Sequence, residues 1–162
     1  MKPTRPDLDP AHVEEFNRTG AVAVLATADR HGRPHVSVVS WLRLLDPGRV
    51  ALALDRRTQH FANVSGNPRV ALSLMSAEVI LAIAGTVEIS RDQMEATPWE
   101  TAHITIDVDL VVDQTLPGVT FVAPSYTYPE EKAHRTDVES KVLAELSKRA
   151  TARKHRVTIV DD

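Results

Sequence analysis

The chain contains no cysteine. Disulfides, thiolate nucleophiles and cysteine-ligated zinc or iron–sulfur centres are thereby excluded. It also lacks a basic excess: the formal net charge is −3 over 162 residues. A general nucleic-acid binder would carry a basic stripe or surplus, so that class of partner is not expected. No apolar run approaches the ~18 residues needed to cross a bilayer. The opening stretch MKPTRPDLDPAHVEEF has no apolar segment of the signal-peptide kind. A cytoplasmic chain without membrane contact is therefore the expectation. Internal repeats, low-complexity tracts and linkers are missing too, and hydrophobic residues make up 43%. That composition fits one folded domain spanning 1–162.

Chemical signatures are equally sparse. The seven histidines are scattered, and none has metal-ligand spacing to another histidine or a carboxylate. No metal site is expected. There is no G-x-S-x-G elbow, Walker A sequence or G-x-G-x-x-G loop. Asp107 and Asp109 share a strand face, the usual arrangement of a solvated surface pair. No catalytic acid, base or nucleophile can be nominated, so any catalysis would draw its chemistry from a cofactor.

What is present is mostly strand. Asp9-Pro10 caps a short helix over 10–19, carrying Val13 and Phe16 on one side and ending at Gly20. Ala21–Ala28 reads as a buried strand and Asp29–Gly32 as a hairpin turn. A return strand over 33–45 puts Val36, Val38 and Ser40 on the face opposite Ser37, Val39 and Trp41. Asp46–Gly48 turns the chain into RVALAL. Further strands are expected at Arg69–Met75, Glu78–Ser90, Ile104–Val112 and Arg156–Val160, with TLPGVTFVA pairing after a turn. Gly85 inside a strand marks a bulge or a close backbone approach. SRDQMEA reads as a short capped helix. A longer helix over about 129–150 carries a stripe of Val138, Val142, Leu143 and Leu146. About seven strands without βα alternation predict a mostly β fold, an antiparallel, Greek-key-like split β-barrel with flanking helices.

One stretch joins these strands to chemistry. In LDRRTQHFANVSGNPRV, Thr58 caps a helical turn and a half that ends at Gly66 and Asn67-Pro68. Its first-turn amides and dipole suit an anion, and Arg56, Arg57 and His60 would add donors. The plainer alternative is a capped turn with solvated arginines, and Asn63 bonded to its own turn. On the pattern alone, both stand.

Read together, Ala21–Ser90 resembles the FMN-binding split-barrel superfamily that includes pyridoxamine 5′-phosphate oxidase. The elements carrying the likeness are VLATADRHGRPHVSVVSW, then RVALALDRRTQHFANVSGNPRVALSL, then GTVEIS. The resemblance implies a homodimer with FMN at the subunit interface and an oxidoreductase acting on a small molecule. It places the phosphate near Thr58, Gln59 and His60 and the ring against Ser37, Val38, Val39, Ser40 and Trp41. Ala53, Leu54 and Asp55 would form the near wall, and Arg56, Arg57 and Asn63 complete the corner. The helix from Pro129, Tyr126 or Trp99 would cover the far side.

The chain departs from those oxidases at Ser37, Leu42, Gln59 and His60, where they carry basic residues. Arg56 and Arg57 are expected to compensate. Their C-terminal Arg/His substrate motif is not recognisable near KHRVTIV, so vitamin B6 oxidation is not expected. Trp41 is as readily a core or interface anchor as a ring contact, and Ser40 a barrel-wall residue. The alternatives are a non-catalytic flavin- or haem-binding module, with His60 against the haem, and a reductase using the deazaflavin coenzyme.

Overall fold

A computed structural model describes residues 4–122 and 124–148. Eight strands and three helices follow one another: β1 (Thr4–Arg5), α1 (Pro10–Thr19), β2 (Ala23–Ala28), β3 (Pro34–Val39), β4 (Leu42–Asp46), β5 (Arg49–Asp55), α2 (Gln59–Gly66), β6 (Arg69–Met75), β7 (Ile80–Arg91), β8 (Thr101–Asp113) and α3 (His134–Ser147). A 3-10 turn, Glu130–Lys132, precedes α3. All strands belong to one antiparallel sheet of order β3-β2-β6-β7-β8-β5-β4, with β1 added against β8.

That order forces curvature. β3 and β4 lie at opposite ends of the sheet, yet only Ser40 and Trp41 separate them in sequence. The sheet must curl until its two edges nearly meet, which makes a split barrel. The single return strand expected over 33–45 is therefore two strands. At the break Leu42 N–H bonds Ser40 O at 3.0 Å, and Ala53 N–H bonds Trp41 O at 2.9 Å.

Curling also needs a bend in the long hairpin. The β7–β8 register shifts between Ala84 and Gly85, leaving Asp109 as the extra residue. A Cβ on Gly85 would lie 2.4 Å from the Asp107 carbonyl oxygen. Bulge and close approach thus coincide at this glycine.

Alternation along the strands fills the barrel. Leu25, Leu52, Leu72, Leu74, Leu81, Ile83, Ile104 and Ile106 are all buried in one cluster. Phe16 of α1 and Leu8 join it, with Val13 packed alongside. Asn17 holds the helix in place by bonding both backbone groups of Leu44, at 2.7 and 3.1 Å. A second, smaller cluster lies outside β4 and β5. There Val142 and Leu146 of α3 meet Ala51 and Met94, with Trp41, Leu45, Val138 and Leu143 against them. The apolar stripe expected on this helix is the face that docks. The helix itself spans 134–147, shorter than expected at its start; Arg149 and Ala150 lie outside the described residues, as does the expected strand Arg156–Val160.

Two expectations fail for physical reasons. SRDQMEA is not a helix, because its backbone is claimed from two sides. Met94 N–H bonds Thr101 O at 2.8 Å, while the amides of Glu95 and Ala96 donate to the Glu145 carboxylate. TLPGVTFVA supplies no strand in its described residues: β8 already has β7 and β5 along its two edges. The segment instead runs beside the β6–β7 turn: Thr115 Oγ1 accepts from Ile80 N–H and Phe121 N–H donates to Ala77 O.

Candidate functional site

The strand break at Ser40–Trp41, the end of β5 and the start of α2 enclose a groove of about 420 Å³. That is within the usual range for a small-molecule site. Its floor is Ser37, Val38, Val39, Ser40 and Trp41 on one side and Ala53, Leu54, Asp55, Arg57, Thr58 and His60 on the other. Trp99, Tyr128 and Arg135 form the remaining wall. Eleven of the fourteen residues that the family resemblance assigned to the ring, the near wall and the phosphate corner thus converge on one groove. Arg56, Gln59 and Asn63 lie near its corner without lining it.

The corner is built by a cap. Thr58 Oγ1 accepts from Phe61 N–H at 3.3 Å and donates to Asp55 O at 2.7 Å. By helix geometry, the amides of Gln59 and His60 have no acceptor within α2 and point past the cap. The arginines, however, are engaged. Arg57 forms a fork with Asp55, Nε–Oδ1 at 3.0 Å and Nη2–Oδ2 at 2.6 Å. That partner holds the Asp55 carboxyl below its ordinary value and raises the arginine. Arg56 lies over the Phe61 ring, 5.8 Å from its centroid.

His60 is not a surface donor. It is 3% exposed, and both ring nitrogens are occupied: Nδ1 lies 3.0 Å from Thr27 Oγ1 and Nε2 2.6 Å from Ser37 Oγ. Asn63 Nδ2 donates to the same Thr27 oxygen at 2.9 Å, and Gln59 Nε2 donates to Asn63 Oδ1 at 2.8 Å. Asn63 therefore ties α2 to β2 rather than to its own turn. Burial, and then the His35 ring at 4.5 Å, hold the His60 imidazole below its ordinary pKa and so neutral near pH 7. Thr27 was not singled out in sequence. Its signal was a lone hydroxyl on the inward face of AVLATA, between Leu25 and the turn.

The far wall is aromatic. Trp41 and Trp99 lie 6.3 Å apart, tilted by 32°, and the Arg135 guanidinium sits 5.1 Å over Trp99. Behind them Glu139 of α3 accepts a hydrogen bond from Tyr126. Burial raises the Glu139 carboxyl above its ordinary value, and a hydrogen bond from Trp41 partly opposes this. Sequence alone could not place Arg135 here, because it reaches Trp99 across 36 residues.

Among the described residues no group of histidines and carboxylates could hold a metal ion. None of their helices is long and apolar enough to cross a membrane.

The same architecture recurs in solved structures. HupZ of Group A Streptococcus superposes with a TM-score of 0.57 at 16% identity, covering 70% of this chain and 99% of its own. An FMN-binding protein from Syntrophomonas wolfei gives 0.54 at 11%, covering 66% and 89%. The haem storage protein HutZ of Vibrio cholerae gives 0.52 at 15%, covering 65% and 94%. No sequence match to a curated protein accompanies these likenesses. The sequence profile described as pyridoxamine 5′-phosphate oxidase matches residues 8–116, more than half of the chain and every strand that builds the barrel and the groove except β1. The chain belongs to the pyridoxamine 5′-phosphate oxidase family.

Proposed function

We propose that the groove binds FMN and that the protein is an FMN-dependent oxidoreductase working as a homodimer. One observation carries this reading. A donor-rich corner, formed by Ser37 and the Thr58-capped amide end of α2, opens directly onto an apolar and aromatic wall. A phosphate and a flat ring system need those two surfaces side by side. Ser37 and the α2 amides, held in place by the Thr58 cap, would hold the phosphate, and Val39, Ala53 and Trp41 would face the ring. Bound FMN supplies the hydride and electron transfer that no side chain here provides. The protein orients the ring and keeps water off its Trp41 side.

The second copy is inferred from the open edge. β3 is an edge strand whose outward residues Val36 and Val38 are 57% and 68% exposed, and Val38 also lines the groove. An apolar edge beside a half-open cofactor groove fits a symmetric partner that covers both. HutZ raises haem as the competing ligand. Here His60 has no free ring nitrogen to offer iron, since Thr27 and Ser37 occupy both.

Titration with FMN tests the reading. The two tryptophans, Trp41 and Trp99, both line the groove, so binding should quench intrinsic fluorescence and leave a flavin spectrum after gel filtration. Bleaching by NADH or NADPH and reoxidation by an acceptor would establish the enzyme over a passive carrier. A dimer that retains no flavin, or that instead takes up haem with a Soret band or the deazaflavin coenzyme, refutes the FMN assignment.

A further inference from the structure

The buried side chains behind the phosphate corner form one continuous chain, Gln59–Asn63–Thr27–His60–Ser37, linking α2 to β2 and β3. Its polarity can be worked out link by link. Gln59 Nε2 donates to Asn63 Oδ1, so Asn63 presents its amino group to Thr27. Thr27 Oγ1 accepts that hydrogen and has its own proton left to donate. Thr27 is 3% exposed, and His60 Nδ1 is its other partner among the described residues. A buried hydroxyl proton without an acceptor is costly, about 1–3 kcal/mol. Thr27 therefore donates to His60 Nδ1. A neutral imidazole that accepts at Nδ1 carries its proton on Nε2. His60 Nε2–H then donates to Ser37 Oγ at 2.6 Å, and the Ser37 proton can only turn outward, into the groove.

We propose that this chain makes His60 a positioning residue: it fixes Ser37 as a hydrogen-bond donor toward an oxygen-rich anion, the phosphate of the cofactor. The inference deepens the FMN reading and rests on it for the identity of the ligand. It explains why a histidine and a serine replace the basic residues expected from the family pattern. A preoriented neutral donor contributes a bond whose orientation is already fixed by folding. In the opposite polarity, Ser37 would donate inward to His60 and turn its lone pairs on the phosphate, which repels it.

The first test needs no cofactor. Nitrogen-15 NMR of histidine-labelled apoprotein at pH 8 should show His60 protonated at Nε2, with Nδ1 as acceptor; protonation at Nδ1 overturns the proposal. The second is a cycle of FMN affinities. Ser37→Ala should weaken binding by about tenfold, the worth of one hydrogen bond to an anion. Thr27→Val, which lies outside the groove lining, should weaken it several-fold and scramble the His60 tautomer, whereas Thr27→Ser should leave both unchanged. Added to Ser37→Ala, Thr27→Val should have no further effect, because both act through one hydroxyl. Full additivity of the two overturns the proposal. If Thr27→Val does not fold, the wild-type tautomer and Ser37→Ala still decide it. A wild-type protein that binds no FMN refutes the cofactor assignment, while the tautomer measurement decides the polarity of the chain independently.

Discussion

Replacing Glu145 by alanine should detach α3 from the barrel. The Glu145 side chain is 7% exposed and holds three groups: Ala96 N–H at 2.8 Å, Glu95 N–H at 3.1 Å and Arg91 Nη1 at 3.2 Å. The arginine side chain is 49% exposed, so its ion pair is screened by water and adds little. The two amides matter more. Hydrogen bonds to a charged acceptor contribute about 1.5–3 kcal/mol each, but Glu95 is exposed and its amide can turn to water. With the lost burial of one methylene at about 0.8 kcal/mol, the total comes to about 2–4 kcal/mol. That is a large share of the ~5–15 kcal/mol stabilising a typical domain. Glu145→Gln keeps the volume and one acceptor oxygen, and should cost about 1–2 kcal/mol. Urea unfolding followed by tryptophan fluorescence reads the docking itself, because Trp41 packs in the α3 cluster and Trp99 lies under Arg135. A Glu145→Ala midpoint corresponding to less than about 0.5 kcal/mol of change would refute the reasoning.

Gly85→Ala forces a methyl against the Asp107 carbonyl and should destabilise by at least ~1–3 kcal/mol, measured by thermal or urea unfolding. Burial holds the folded pKa of both His60 and His103 below the ordinary histidine value. The unfolded chain thus binds more protons, so stability should be full above pH ~6.5 and be lost as pH falls through the depressed folded values, a trend that unfolding midpoints across pH 4–8 would show. Asp55→Asn releases Arg57 from its fork and should tighten FMN binding severalfold at low salt, with the gain vanishing at high ionic strength, as read by tryptophan quenching. Val38→Glu places a charge on the exposed apolar edge and should convert a dimer to monomers with a parallel loss of FMN affinity, checked by sedimentation.

The fold was largely legible because alternation is a local signal. AVLATA, RVALSLM and ILAIAGTVEISR bury every second residue over most of their length, as a half-buried strand must. The corner was legible for a similar reason: a threonine cap and an Asn-Pro stop declare a short helix within a few residues. Three features were not legible. The break at Ser40–Trp41 is dictated by the closing of the sheet, which no window of the sequence contains. SRDQMEA has a helix-like composition, but a carboxylate some fifty residues away takes its amides. The burial of His60 depends on Thr27 and Ser37 of two other strands, so the residue read as a candidate surface donor sits behind the corner.

The charge distribution at the corner separates two ways of holding a phosphate. Reading the sequence alone, Arg56 and Arg57 are the natural counter-ions for a site short of lysine. In the structure each has a prior commitment, Arg56 to the Phe61 ring and Arg57 to both oxygens of Asp55. Asp55 lines the same groove, so a ligand phosphate approaching Arg57 meets a paired ion rather than a free cation. What stays uncommitted is neutral: the Ser37 hydroxyl and the first amides of α2. Neutral donors discriminate by direction, since each must point at an oxygen, whereas a free arginine attracts any anion within a Debye length. The chain behind Ser37 fixes such a direction, and the Thr58 cap fixes the amides. On the proposed FMN reading, a groove organised in this way would select a phosphate by its shape and acceptor geometry, which fits a chain whose net charge of −3 gives no long-range attraction for anions.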